Sequence, residues 1–393
     1  MAVPTKFQSG TEVMTGGNYA GGGQSYIIET MLGVNYKVFI DLLTSDPSFC
    51  KSLDGGLTWS APVALKDCVG TQIAVWYDRW SNIDGDLIHV AYTDSTSDDT
   101  FYRNINTASS DSLSTEYTIF AGASASAGGA GGALAIARMR GGNLVVAGCI
   151  DVGTEIFTKK STDVGVNWSD IATGYEAAGN ADLCIMMPGW GADNQDAMMF
   201  YYDRSATEIS VKYYDDSANS WSETSIATTI SLPDHTTTTL GHMNAAVDLA
   251  NSQNLLVFWT AVDAANADLR CFKVTQSAQT ETTSNVVLNS TDDQGFCGIT
   301  IDGTNWYVIY AGLSDGSQTY ATRIKLYYKL STDGGATWGS ETEINPNYQN
   351  MYALFSKPIQ YRYFGVGYMA TNISLYIYIS SLSIPHTNYQ IGI

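Results

Sequence analysis

The sequence predicts an all-β fold built from repeats, on three observations. Ser331 to Trp338 (S-T-D-G-G-A-T-W) recurs as Ser52 to Trp59 (S-L-D-G-G-L-T-W) and Ser161 to Trp168 (S-T-D-V-G-V-N-W), and such self-similarity marks a repeat architecture. An apolar, aromatic-rich stretch of strand length recurs seven times, beginning at Tyr36, Leu87, Asn143, Ala197, Leu255, Trp306 and Tyr363, with starts 51 to 58 residues apart. The composition is β-rich, with 25 Tyr, 9 Trp and 12 Phe and no helical periodicity of any length. Repeats of this size predict a single β-propeller domain over residues 1–393, of seven four-stranded blades, with six blades as the alternative.

The fixed frame of the octapeptide, Ser-x-Asp-x-Gly-x-x-Trp, suits a tight turn between two strands. The Ser and Asp oxygens (Ser52 and Asp54, Ser161 and Asp163, Ser331 and Asp333) accept backbone N–H groups across the turn. Gly56, Gly165 and Gly335 permit a positive φ. Trp59, Trp168 and Trp338 are apolar plugs against the neighbouring sheet. On these residues the octapeptide resembles the Asp-box of bacterial-neuraminidase-type repeats, found in sialidases and other β-propellers. In those families the box marks the fold and lies away from the catalytic centre, so the resemblance implies architecture and names no reaction. A degenerate copy at Tyr214 to Trp221 keeps Asp216 and Trp221 and loses the Ser and Gly. The copies near Thr107 to Tyr117 and Thr275 to Thr282 are all but lost, so a blade closes without the box.

In chain order, the recurrent stretch forms a second strand, B, at Tyr36–Leu43, Leu87–Thr93, Asn143–Ile150, Ala197–Asp203, Leu255–Val262, Trp306–Leu313 and Tyr363–Ala370. A strand A precedes each across a short Gly or Asn turn, as Thr71–Trp76 and Gly298–Ile301 do. A strand C follows, at Phe101–Asn106, Glu155–Lys160, Glu208–Tyr214, Leu269–Thr275, Ile324–Leu330 and Ser374–Ile379, and the octapeptides fall between C and D. Residues 1–14 resemble the segments after the octapeptides. They are expected to supply a closing strand D to the last blade, which removes an exposed sheet edge.

Charge and composition exclude several classes. With 19 Lys and Arg against 39 Asp and Glu, the formal net charge is -20, and such a field repels polyanions, so nucleic acid is not an expected partner. No run reaches the ~18 apolar residues of a spanning helix, so membrane insertion is not expected, and MAVPTKFQSG has no Sec signal character. Six cysteines, with no C-x-x-C pair and no His at zinc-ligand spacing, read as free thiols, with a Cys50–Cys68 disulfide as the alternative. No metal and no cofactor is expected.

The B-to-C and D-to-A loops of a propeller share one face, and the octapeptide turns lie on the other. On the former face a carboxylate recurs just past strand B: Asp46, Asp94, Asp151, Asp203, Asp263 and Asp315. With Arg204 and His242, five of these (Asp94, Asp151, Asp203, Asp263 and Asp315) are the candidate ligand-binding residues. A ring of acids there would hold sugar hydroxyls or a cation, while duplicated Asx-turn residues are the structural alternative. His235 and His242 bracket a Thr-rich loop, and Trp76, Trp80, Tyr92, Trp190, Trp259 and Tyr352 are candidates to stack on sugar rings or to pack between blades.

The sialidase resemblance implies an arginine triad, a Tyr nucleophile with a Glu partner and an Asp acid/base, with the first arginine in an Arg-Ile-Pro motif. The matching strand here is Ser25-Tyr26-Ile27-Ile28-Glu29, without arginine or proline. The expected function is therefore a non-catalytic structural or binding module recognising a surface glycan or a protein. A virion component such as a phage fibre or decoration protein is one setting, and a sialidase-like or other glycoside hydrolase is the alternative.

Overall fold

A computed structural model of the chain describes residues 6–7, 12–15, 25–30, 33–41, 43–54, 58–77, 86–122, 134–150, 155–171, 181–203, 206–228, 243–248, 251–263, 266–275, 279–287, 294–302, 305–313, 324–343, 351–355, 363–370 and 376–383. Every regular element among them is a strand. After β1 (Lys6–Phe7) and β2 (Glu12–Thr15), the first sheet orders β3 (Ser25–Glu29), β4 (Asn35–Ile40), β5 (Pro47–Ser52) and β6 (Val63–Ala64). The second orders β7 (Gly70–Tyr77), β8 (Leu87–Asp94), β9 (Asp99–Asn106) and β10 (Ser112–Leu113), with β11 (Tyr117–Phe120) also on β9. The third is β12 (Leu134–Arg138), β13 (Leu144–Ile150), β14 (Glu155–Ser161) and β15 (Ser169–Asp170). The fourth is β16 (Ala181–Pro188), β17 (Ala197–Asp203), β18 (Glu208–Asp215) and β19 (Ser220–Ala227). The fifth is β20 (Met243–Asp248), β21 (Gln253–Asp263), β22 (Asn266–Val274) and β23 (Gln279–Val287). The sixth is β24 (Gln294–Asp302), β25 (Asn305–Leu313), β26 (Ile324–Ser331) and β27 (Thr342–Glu343). The last joins β28 (Met351–Phe355), β29 (Tyr363–Ala370) and β30 (Tyr376–Ser383) to β1 and β2.

All pairings are antiparallel, and the first strands of successive sheets touch in chain order until β28 and β29 meet β3. This is a β-propeller. The second strands read as unbroken apolar runs because neighbouring sheets cover both of their faces; all seven residues of β17 are buried. First strands carry small residues such as Ala135, Ala137, Ala245 and Ala246, where the sheets converge. The N-terminal strands lie on β30, with Lys6 opposite Ser383 and Glu12 opposite Tyr378.

Local hydrogen bonding moves some strand ends. The strand expected to run to Leu43 stops at Ile40, because the Asp41 carboxylate accepts the Leu43 N–H at 2.9 Å and its carbonyl accepts the Ser45 N–H. Outer strands after the octapeptides shrink to two residues at β6, β15 and β27, whereas β19 starts early enough to include Trp221. Cys50 and Cys68 are free thiols.

The octapeptide turns share one wiring. Ser161 Oγ donates to Asp163 at 2.8 Å and accepts the Gly165 N–H at 2.8 Å, while Asp163 accepts the Asn167 N–H and side-chain amide. Ser331, Asp333, Gly335 and Thr337 repeat the pattern, as do Ser52, Asp54 and Thr58. Gly165 has φ 87° and Gly335 φ 82°. A Cβ at either would overlap an aromatic ring, Tyr102 at the first and Trp306 at the second, so glycine meets a conformational and a steric requirement together. The tryptophans are less enclosed than plugs: Trp168 and Trp338 are half-buried at the margin of the core, and the Trp168 indole N–H donates to the Gly165 carbonyl. Trp221, in the degenerate copy, is the buried one at 6% exposure, donating to Thr158 of the preceding sheet at 3.0 Å.

In the second and fourth sheets, where the octapeptide is lost, an aspartate of the turn bonds the neighbouring sheet. Asp216 leaves its own turn and accepts Lys160 Nζ from the third sheet at 2.9 Å and the Tyr214 hydroxyl at 3.1 Å. Asp111, in the C-to-D turn of the second sheet, accepts Lys51 Nζ and the Tyr36 hydroxyl from the first. Both lysines immediately precede the first Ser of an intact octapeptide.

Candidate functional site

On the B-to-C face of the first two sheets, three loops are knitted together. Asp46 accepts the Cys68 N–H at 2.9 Å, the Gly70 N–H donates to the Ser45 carbonyl, and the Ser95 N–H donates to the Val69 carbonyl. Lys66 projects from the middle loop to Asp94 at 3.4 Å and Glu116 at 3.2 Å, with its ammonium 3.4 Å from the Phe101 ring centroid. Asp94 also accepts the Thr96 N–H at 2.9 Å and the Ser97 hydroxyl at 3.2 Å. Burial alone would raise its pKa, but Thr96, Lys66 and Ser97 outweigh burial and hold it below the ordinary carboxylate value. The Cys68 thiol is pushed up to about 12, first by burial and then by the Asp94 charge, so it is no nucleophile near neutral pH. Asp46 and Asp94 are both buried and bonded to these donors, which ties the three loops together.

Asp203 repeats the turn role in the fourth sheet, accepting the Ala206 N–H at 3.1 Å. Asp94 and Asp203 are buried at 5% and 8% exposure; each accepts a backbone N–H of its own loop, and Asp94 also pairs with Lys66 of the loop before β7. Asp263 ends β21, and its side chain lies outside the description; Gly56, Asp151, Arg204, Asp315, His235 and His242 lie outside the described residues. Trp76 and Tyr92 are buried at 2% and 0% exposure and are packing residues, not stacking platforms. Trp190 lies beneath the Arg140 guanidinium, 4.7 Å from its ring centroid. Trp80 lies outside the described residues, as do the side chains of Trp259 and Tyr352. Among the described residues no group of three His, Cys, Asp or Glu is arranged to hold a metal ion.

A Tyr–Glu couple occurs three times. The hydroxyls of Tyr92, Tyr201 and Tyr310 donate to Glu116, Glu223 and Glu341. The three tyrosines occupy one register, opposite Phe101, Ser210 and Tyr327, and two residues further along each third strand stands Arg103, Lys212 or Lys329. Lys212 bridges Glu223 at 3.0 Å. Burial and the adjoining carboxylate both push the pKa values of Tyr92 and Tyr310 upward, away from a phenolate nucleophile. A feature present in three sheets at one register is a repeat of the fold, tying the second strand to the outermost. Sequence reasoning missed these cations; of the three only Lys329 carried a signal, standing two residues before the octapeptide Ser331, as Lys159 stands before Ser161 in the third sheet.

By its fold alone, the chain is a sialidase-like β-propeller in architecture. No protein-family model and no curated protein matches it. Among solved structures, Trypanosoma rangeli sialidase in complex with 2,3-difluoro-KDN superimposes with a TM-score of 0.50 at 13% identity, over 86% of this chain and 58% of that one. The Hadza microbial sialidase Hz136 gives 0.47 at 14% identity over 92% of this chain, and the Ruminococcus gnavus intramolecular trans-sialidase 0.45 at 12% over 95%. The chain spans 66% of the Hadza enzyme's length and 97% of the Ruminococcus enzyme's. At these identities the likeness is one of fold.

Proposed function

We propose that the chain is a non-catalytic propeller module whose B-to-C face binds a glycan or a protein partner. The observation carrying this reading is the state of its carboxylates. A glycosidase general acid needs a raised pKa, whereas Asp94, on this face, is held below the ordinary carboxylate value. Two further facts support it. The strand where the sialidase resemblance calls for an arginine, β3, has none. Arg140, one of the described arginines, is committed to the Gly189 and Gly191 carbonyls at 3.0 and 2.9 Å. A net charge of -20 favours neutral or cationic sugars over sialylated ones. The Tyr-dense, β-rich composition suits a component of a larger particle such as a virion.

A glycan array run beside a fluorogenic glycoside panel tests the reading. Binding without turnover is expected, with no sialic acid released from any linkage. Turnover abolished by Asp203→Asn would establish the hydrolase alternative.

A further inference from the structure

Three lysines occupy one position of the repeat. Lys51, Lys160 and Lys273 lie opposite Tyr36, Val145 and Leu255, and each immediately precedes the residue at the octapeptide's Ser position, Ser52, Ser161 or Val274. All three reach into the next sheet. Lys51 meets Asp111 there and Lys160 meets Asp216, and each of these carboxylates accepts a second, aromatic donor, the hydroxyl of Tyr36 or of Tyr214. Lys273 reaches the sixth sheet, where its Nζ lies 5.0 Å from the Trp306 ring centroid and beside Gly334. Among the described residues no carboxylate pairs with it. The reason lies in the intact octapeptide of that sheet: Asp333, the counterpart of Asp216, has both oxygens committed to Ser331 and Thr337 of its own turn.

A second donor at the same place also lacks an acceptor. The Trp306 side chain is 0% exposed, and its indole Nε1 has no hydrogen-bond partner among the described residues, a costly state for a buried N–H. A Cβ built on Gly334 would have as its nearest neighbours Trp306 Cζ2 at 3.7 Å and Lys273 Nζ at 3.9 Å. Cζ2 and Nε1 are bonded to the same ring carbon, so the ammonium and the N–H edge of the indole flank one spot, which the glycine leaves open. We infer that this spot is a binding site for a carboxylate, which pairs with Lys273 through one oxygen and accepts the Trp306 N–H through the other. The bound group takes the place that Asp111 and Asp216 fill for the equivalent lysines. Its source is a free small carboxylate or a carboxylate carried on another polypeptide. The site lies on the octapeptide face, so the inference does not depend on what the B-to-C face binds.

NMR of the full chain tests it through the Trp306 indole N–H resonance, identified by its loss in Trp306→Phe. Titration with sodium acetate, at an ionic strength held constant with sodium chloride, is expected to move that resonance downfield to saturation. Lys273→Met is expected to abolish the response. Gly334→Asp sets a carboxylate within reach of Lys273, at a left-handed position, φ 67°, that Asp and Asn tolerate better than other non-glycine residues. That variant is expected to shift the resonance without acetate and to block the response, whereas Gly334→Asn, with the same backbone strain, is expected to retain it. Stronger binding of N-acetylglycine or of N-acetylglutamic acid α-amide than of acetate would assign a chain-terminal or a side-chain carboxylate as the ligand, and acetate alone a free one. An unmoved resonance, an equal response to chloride, or a response that survives Lys273→Met overturns the inference.

Discussion

Lys160 donates to Asp216 across the boundary between the third and fourth sheets at 2.9 Å, and Lys51 makes the same reach to Asp111 between the first and second. In each pair the lysine comes from a sheet that keeps the octapeptide and the aspartate from one that lacks it. Each turn that lacks the octapeptide keeps wiring of its own, Asp215 accepting Ser217 and Ala218 and Asn106 accepting Ala108 and Ser109, so the ion pair ties neighbouring sheets together. Both ends of the Lys160 pair are about one-fifth exposed, so solvent screening limits its strength. A double-mutant cycle of Lys160→Met with Asp216→Asn, read by urea unfolding, is expected to return a coupling of about 1 kcal/mol. A coupling near zero would leave the sheet boundary to apolar packing alone.

Val164 occupies a left-handed conformation, φ 59°, at the octapeptide position where Gly334 stands in the sixth sheet at φ 67°. A β-branched residue there is strained. Val164→Gly is expected to raise stability by roughly 1 kcal/mol despite the added freedom of the unfolded chain. Next to it, Gly165→Ala should cost about 3 kcal/mol, because the left-handed backbone and the Tyr102 ring both oppose a methyl group. Calorimetry on the two variants checks the opposite signs.

Trp221 is buried with its indole N–H bonded to Thr158, whereas Trp338 is only half-buried. Trp221→Ala is therefore expected to cost about 4 kcal/mol and Trp338→Ala about 2 kcal/mol by equilibrium unfolding. The degenerate copy then carries the more important tryptophan, and a reversed order would contradict the packing described.

His89 is wholly buried, with Nδ1 2.7 Å from the Tyr102 hydroxyl, and burial followed by the Arg138 charge lowers its pKa to about 3. The unfolded chain takes up a proton near the ordinary imidazole value of 6.5 that the folded chain refuses until about 3. Its contribution is intact above 6.5 and shrinks as pH falls through that window, with a slope approaching about 1.4 kcal/mol per pH unit. Unfolding free energies measured between these limits should show that slope lessened in His89→Gln.

Deleting residues 1–14 removes β1 and most of β2 from β30. An uncovered strand edge promotes intermolecular pairing, so the truncated chain is expected to melt earlier and aggregate. Light scattering during a thermal ramp reads both effects.

The strand order was legible because covered second strands such as Ala197–Asp203 write their burial as unbroken apolar runs. The turn wiring was legible because Ser161, Asp163 and Gly165 have few other uses at that spacing. What stayed hidden was every relationship between sheets. Lys160 and Asp216 are 56 residues apart, and nothing in either side chain announces the other. The Tyr–Glu couples were hidden for a similar reason, since Tyr310 and Glu341 share a register that only the completed sheet defines. For the B-to-C face, periodicity found Asp94 and Asp203 but did not reveal Lys66, which stands outside the repeated pattern.

Lys6 lies opposite Ser383, which sets a clock on biogenesis. A ribosome adding roughly 5–20 residues per second emits the first of these residues on the order of 20 to 80 seconds before the second. Throughout that interval the leading segment has no β30 to join, and the last sheet stays open. The rate at which the last sheet is translated therefore sets how long the ring waits for its closing strands.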